Sequence, residues 1–281
     1  MKKGINLVTL LKVFIIMIFV LSSADGVTAN KKKNRNQNNT QEREVMQFNA
    51  IASSSSVDVF ITQGSSESIK VVADEKVINK IITEVRESVL YIYTKNLKFT
   101  TGKMAVYVTL KELKGLKITG SGDVSSENII KAKDLKFAVT GSGDMKIDLN
   151  ANNVDGQVTG SGDVKLSGIT GVLKIRLSGS GDFNADALGL DQCEISLSGS
   201  GDIRLSGMCK ELNMTGSSSG DISASKLDTK VCRITKTGSG DVSVLVRDDL
   251  YVKLTGSGDV YYKGDPSVNA VNSGSGNVRR Y

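Results

Sequence analysis

Apolar residues fall at alternate positions along much of this chain, and at nearly constant intervals a short glycine-rich segment interrupts them. Six, four and two residues before that segment stand Leu135, Phe137 and Val139; Val154, Gly156 and Val158; Leu173, Ile175 and Leu177; Cys193, Ile195 and Leu197; and Leu250, Val252 and Leu254. Directly after it come Val124, Met145, Val164, Phe183, Ile203, Ile222, Val242, Val260 and Val278. A period of two on either side of a sharp corner predicts strand, turn, strand, with one face turned inward.

The interrupting segment is Gly-Ser-Gly-Asp. Its glycines are Gly120, Gly122, Gly141, Gly143, Gly160, Gly162, Gly179, Gly181, Gly199, Gly201, Gly238, Gly240, Gly256 and Gly258. Its acids are Asp123, Asp144, Asp163, Asp182, Asp202, Asp221, Asp241 and Asp259, with Asn277 closing the series, so the period is 18 to 21 residues. One such unit cannot bury its inner face alone, but stacking the next at about 4.8 Å bonds the strands and extends the core. The expected fold is therefore all-β: a β-solenoid, or single-stranded β-helix, of about nine coils and roughly 40 Å in length. Two copies depart from the pattern. Gly216-Ser217-Ser218-Ser219-Gly220-Asp221 reads as a corner with two extra serines, and Gly274-Ser275-Gly276-Asn277 ends in an amide.

Residues 45–113 form a less regular capping part, continuous with the repeat at 114–281. Ser53 to Ile61 resembles a degenerate corner with serines in place of glycines. Ile69–Val72, Leu90–Tyr93 and Met104–Leu110 read as strands, and Asp74–Ile82 as one short helix with an acidic first turn. A terminal coil exposes an edge, which calls for such a cap. Upstream, Lys2, Lys3 and Lys12 precede the apolar run Val13–Leu21, and small residues follow it. Residues 1–29 read as a signal peptide cleaved after Ala24 or Ala29, with an uncleaved anchor as the alternative. Residues 30–44, rich in Lys, Asn and Gln, read as a disordered basic tether.

The charge of +6 belongs to this leader and tether. Residues 1–43 hold eight of the 36 basic and two of the 30 acidic residues, which leaves 28 of each for 44–281. The folded part is neutral, and a nucleic-acid surface is not expected. With no His or Trp and 5% aromatics, the composition suits a narrow rod filled by Val, Ile and Leu.

Among candidate chemistries, the Asp column stands first. In-register carboxylates about 5 Å apart repel by roughly 1 kcal/mol per pair in water. Each either accepts hydrogen bonds from Gly N–H groups and Ser hydroxyls of its own or an adjacent corner, or shares calcium with the next coil through Asp123, Asp144, Asp163, Asp182, Asp202, Asp221, Asp241 and Asp259. No other cofactor is expected. The glycines lack the Lys-Ser/Thr and helix of a phosphate loop. Cys193 and Cys232 share one inward position two coils apart, roughly 10 Å, too far for a disulfide; Cys209 reaches either only if its coil shifts. Without His or an inserted cleft, no catalytic residue is assigned. Outside, a hydroxyl ladder precedes the corners: Thr119, Thr140, Thr159, Ser178, Ser198, Thr215, Thr237, Thr255 and Ser273.

With its leader, helix-bearing cap and Gly-Ser-Gly-Asp corners, the chain resembles the auto-transporter adhesin head domain family called GIN, over roughly Phe48 to Asn277. The resemblance implies a β-helical protein of Bacteroidetes type, secreted or held in the envelope, and brings no catalytic residues. The expected function is a non-enzymatic, exported binding module in the periplasm, on the outer-membrane surface or outside the cell. Its expected partners are a surface ligand (glycan, matrix or another envelope protein) or a second copy of itself, with no membrane span once the signal is removed. The alternatives are a β-helical carbohydrate lyase or hydrolase and a purely structural envelope rod.

Overall fold

The alternation seen in the sequence has one stable outcome, a stack in which every inward side chain lies over its equivalent one coil away. The computed structural model describes residues 38–97 and 102–281; the signal peptide and residues 30–37 of the tether lie outside the described residues. The first elements are β1 (Asn38–Arg43), β2 (Ala50–Ser53), β3 (Asp58–Gln63), β4 (Ser68–Asp74), α1 (Glu75–Ile78), β5 (Ile81–Arg86), β6 (Val89–Thr94) and β7 (Ala105–Leu110). Next come β8 (Gly115–Ile118), β9 (Val124–Ser126), β10 (Ile130–Val139), β11 (Met145–Val158), β12 (Val164–Leu177) and β13 (Phe183–Leu197). The chain continues with β14 (Ile203–Gly216), β15 (Ile222–Lys236), β16 (Val242–Leu254), β17 (Val260–Lys263), β18 (Ser267–Asn272) and β19 (Val278–Arg280). Together they form a β-solenoid of about nine turns with a single short helix.

From β10 to β16 each strand pairs in parallel with the next, so Val139 lies opposite Val158, Val158 opposite Leu177 and Leu177 opposite Leu197. These residues are buried, and the polar residues between them face out. Strands β11 to β16 run on through a second bend, where the register shifts. Left-handed backbone turns it, at Gly168 (φ 70°) and even at Ala187 (φ 51°).

Two coils fill a gap with a neighbour's longer side chain. A Cβ on Gly156 would lie 2.1 Å from Cζ of Phe137, whose ring occupies that space. Lys236 does the same over Gly216, whose Cβ would lie 3.4 Å from the lysine Cδ. This pairing corrects the expected serine insertion. Gly216 lies opposite Leu197 and Lys236 opposite Leu254, both in the inward column. Ser218 therefore takes the place of the first corner glycine, since the Cβ of a residue at Gly238 would meet Ser218 O. No residue is inserted.

Chain order and spatial order differ at the N-terminal end. β2 sits between β6 and β8, and β3 between β7 and β9, so the β6–β7 coil lies beyond the first coil and closes the stack. Antiparallel additions cover its edges: β5 on β6, β4 on β7 and β1 on β4. Residues 38–43, read above as tether, thus form an ordered strand. The helix is shorter than expected, four residues capped by the Asp74 carboxylate, which accepts from Lys76 N–H at 2.9 Å. Ile81 and Ile82 pair instead with Thr94 and Tyr93. Gln63 ties the capping part to the repeat, donating to Lys111 O and Lys131 O. At the other end β18 pairs with β16 alone, and all six of its residues are exposed.

Candidate functional site

The regular corners line up as a ridge along the rod. The first-glycine carbonyls of six corners (Gly120, Gly141, Gly160, Gly179, Gly238 and Gly256) accept from the next coil, as Gly141 O does from Ser161 N–H (3.1 Å) and Gly162 N–H (3.4 Å). The backbones approach so closely that a Cβ on Gly162 would sit 2.1 Å from Gly143 O, which explains why the letter recurs. The paired glycines expected at the corners all stack in this way, and the column begins one coil earlier than they do. Gly120 packs over Ser55 and Gly122 over Val57, which makes Ser53 to Ile61 the first corner.

Every carboxylate in the column has the same partner, the next Asp main chain, rather than the Gly N–H groups and Ser hydroxyls expected. Oδ1 of Asp144 accepts Asp163 N–H at 2.8 Å, Oδ1 of Asp163 accepts Asp182 N–H at 2.8 Å, and the series continues from Asp58 to Asn277. A charge-assisted bond to a backbone donor offsets the repulsion between neighbours. Arg204 strengthens the middle of the column by spanning Asp182 Oδ2 and Asp202 Oδ2 at 2.8 Å each. Burial raises the Asp182 pKa, but the Asp202 N–H and the Arg204 guanidinium outweigh it and hold the carboxyl below its ordinary range. Asp259 is likewise held low, first by Asn277 N–H and then by the Tyr261 hydroxyl. A calcium ion takes six to eight oxygens. Among the described residues no three Asp, Glu or Cys side chains converge on one point, so the column by itself assembles no cage.

Beside the acids run two exposed rows of hydroxyls. One holds Thr119, Thr140, Thr159, Ser178, Ser198, Ser217, Thr237, Thr255 and Ser273, and the other the corner serines such as Ser142, Ser161 and Ser180. Thr215, expected in the first row, lies instead opposite Ser196, and Ser217 takes its place. Counting back from Asp221, as from Asp202, would have found it. The three cysteines are reduced and buried, with Leu212 between Cys193 and Cys232 in the column. Burial pushes the Cys209 thiol up to about 11, and it donates to Glu211 O at 3.1 Å.

The family model described as "Putative auto-transporter adhesin, head GIN domain" matches residues 47–206 and 189–266. The chain belongs to that family. Solved structures share the GIN fold. One described as a putative adhesin from Parabacteroides merdae is 24% identical, with a TM-score of 0.67, covering 87% of this chain and 96% of its own. A second, described as a putative lipid binding protein from Parabacteroides distasonis, is 26% identical with a TM-score of 0.64, covering 86% and 96%. A third, a putative adhesin also from Parabacteroides distasonis, is 27% identical with a TM-score of 0.63, covering 87% and 97%. No curated protein matches the chain. Among the described residues of this GIN protein, no helix is long and apolar enough to cross a membrane.

Proposed function

We propose that the protein is a non-enzymatic, exported binding module, held in the periplasm, on the outer-membrane surface or outside the cell. In this reading it meets an extended partner (glycan, matrix or another envelope protein) with the side of its rod. The observation that carries this reading is the ridge, where exposed hydroxyls repeat with the coil spacing of about 4.8 Å. A repetitive surface suits a repetitive ligand, because many weak contacts in register add up without a deep pocket. The carboxylates of the same ridge, bonded from coil to coil, hold the corner in shape.

The test is incubation of the exported chain with polysaccharides and native envelope, scoring retention and product release separately. Retention without product supports the module. Release of shortened or unsaturated sugars overturns it in favour of a β-helical lyase or hydrolase, and neither result leaves a structural rod. Replacing Thr140, Thr159 and Ser178 together with lysine, on exposed positions, should abolish retention while the circular-dichroism spectrum stays that of the wild type.

A further inference from the structure

The capping part builds something the repeat does not. Where β1, β4, β7 and β3 lie side by side, their outward residues line a cleft of about 770 Å³. We infer that this cleft is a binding site for a short, uncharged saccharide. The inference rests on the reading of the protein as a binding module, and gives it a discrete site and a ligand class.

Three observations point this way. First, the lining is rich in hydrogen-bonding groups with no work inside the protein. The hydroxyls of Thr62, Ser68, Tyr107 and Thr109 bond no other described residue, and neither do the carboxylates of Glu42 and Glu44. Second, Glu67 is drawn in until its side chain is only 11% exposed. Its Oε2 pairs with Lys111 at 3.3 Å, whereas its Oε1 is buried and has no hydrogen-bond partner among the described residues. Leaving such an oxygen unpaired is costly, and a small turn of the carboxylate to meet a ligand hydroxyl in the cleft recovers that cost. Third, Tyr107 stacks on Phe60 with centroids 4.9 Å apart, and Lys70 lies over its other face at 4.6 Å. Held between these two neighbours, Tyr107 is fixed in position and turns its ring edge and hydroxyl to the cleft.

Charge decides among polar ligands. Glu42, Glu44 and Glu67 are matched by Arg43, Lys70 and the Lys111 that pairs with Glu67, three against three. Arg43 is also engaged elsewhere, donating to Ile81 O and Ile78 O. Neither a polycation nor a polyanion gains from such a surface. An uncharged molecule with many hydroxyls does, and the volume suits one or two sugar rings.

The exported chain is titrated calorimetrically with lactose, cellobiose, maltose and N,N′-diacetylchitobiose, and with spermidine and citrate as charged probes. At least one disaccharide should bind. Glu67→Gln should weaken it about tenfold or more, as expected for bonds to a charged acceptor, and Lys253→Ala, far along the rod, should not. Because Glu67→Gln also loosens the Lys111 pair, Tyr107→Phe and Ser68→Ala provide the second arm. Each deletes a hydroxyl that holds nothing in the fold, and each should weaken binding several-fold. The inference is overturned if no disaccharide binds, if spermidine or citrate binds better, or if the cleft variants bind as the wild type does. Envelope retention that persists without sugar binding sinks the cleft and spares the module; loss of both in the wild type sinks the module too.

Discussion

Lys236 offers the most demanding test of the register. Its residue is 1% exposed in a column that elsewhere holds Leu177, Leu197 and Leu254. Its ammonium reaches only Ser218 O and Oγ, each at 3.4 Å, and no carboxylate pairs with it. Burial lowers its pKa from the ordinary 10.5, with Asp221 and Asp241 pulling the other way. Lys236→Met keeps the length that fills the Gly216 gap and removes the buried charge. By analogy with other buried charges replaced by apolar groups, the gain should be roughly 1–3 kcal/mol. For a domain of this size that is a rise in Tm of about 2–4 °C per kcal/mol. The sign of the pH dependence follows from the lowered pKa. At neutral pH the lysine is protonated in both folded and unfolded chains, and the folded state bears the full penalty. As pH climbs through the folded value towards 10.5 that penalty is relieved. The advantage of Lys236→Met, read as a difference in Tm, should therefore be largest near pH 7 and shrink towards pH 10. Gly216→Leu alone should cost about 1–3 kcal/mol by overpacking. Gly216→Leu combined with Lys236→Leu should recover most of it, by rebuilding the leucine column. A methionine variant less stable at pH 7, or an advantage that does not change with pH, would refute the packing described.

Val158→Asp should put an unpaired carboxylate into the core and cost several kcal/mol, about 4 or more, whereas Lys165→Asp, on the exposed alternate face, should cost under about 1; equal melting temperatures would contradict the inward assignment. Gly162→Ala should unfold or strongly destabilise the rod, because its Cβ meets a backbone oxygen at 2.1 Å, while Gly189→Ala, with nothing within 4 Å, should melt like the wild type. Asp163→Asn keeps an acceptor for Asp182 N–H and removes a like charge from the column. It should be neutral or mildly stabilising, with chelator or with calcium alike. A wild-type Tm that falls by many degrees on chelation, with the variant insensitive, would instead assign the column to calcium.

The repeat was legible because one constraint, backbone against backbone at each corner, imposes the same letters every turn. The departure at Gly216 has the same origin. A glycine beside serines looks like a corner, but its role is set by distance from the following Asp, and there it serves a side chain from the next coil. The cap was less legible because its pairings are not local. Ile81 and Ile82 fit a helical pattern with Val77 and Ile78, and β6 draws them into a hairpin instead. That hairpin turns at Glu87 and Ser88 with φ of 51° and 61°, where no glycine or asparagine announces it. The tether shows the same override. Asn38–Arg43 has no apolar alternation, yet β4 presents an edge and β1 fills it.

That contrast bears on where specificity resides. In the body, a ridge residue is bound to its equivalents above and below. A change at Asp163, for instance, must satisfy both the bond it accepts from Asp182 N–H and the one its own N–H donates to Asp144. Such coupling keeps the ridge uniform, so the binding proposed for it would work by repetition. The cap is free of it. Its outward hydroxyl at Ser68 and carboxylate at Glu42 bond no other described residue, so they vary without breaking the stack. The two surfaces also differ in stoichiometry. A polymer lying on the ridge occupies overlapping registers, and its apparent affinity rises with polymer length through effective concentration. A sugar in the cap cleft would bind once per chain, with an affinity indifferent to length once the cleft is filled. A protein using both would anchor to a repetitive surface through its body and read the identity of that surface at its tip.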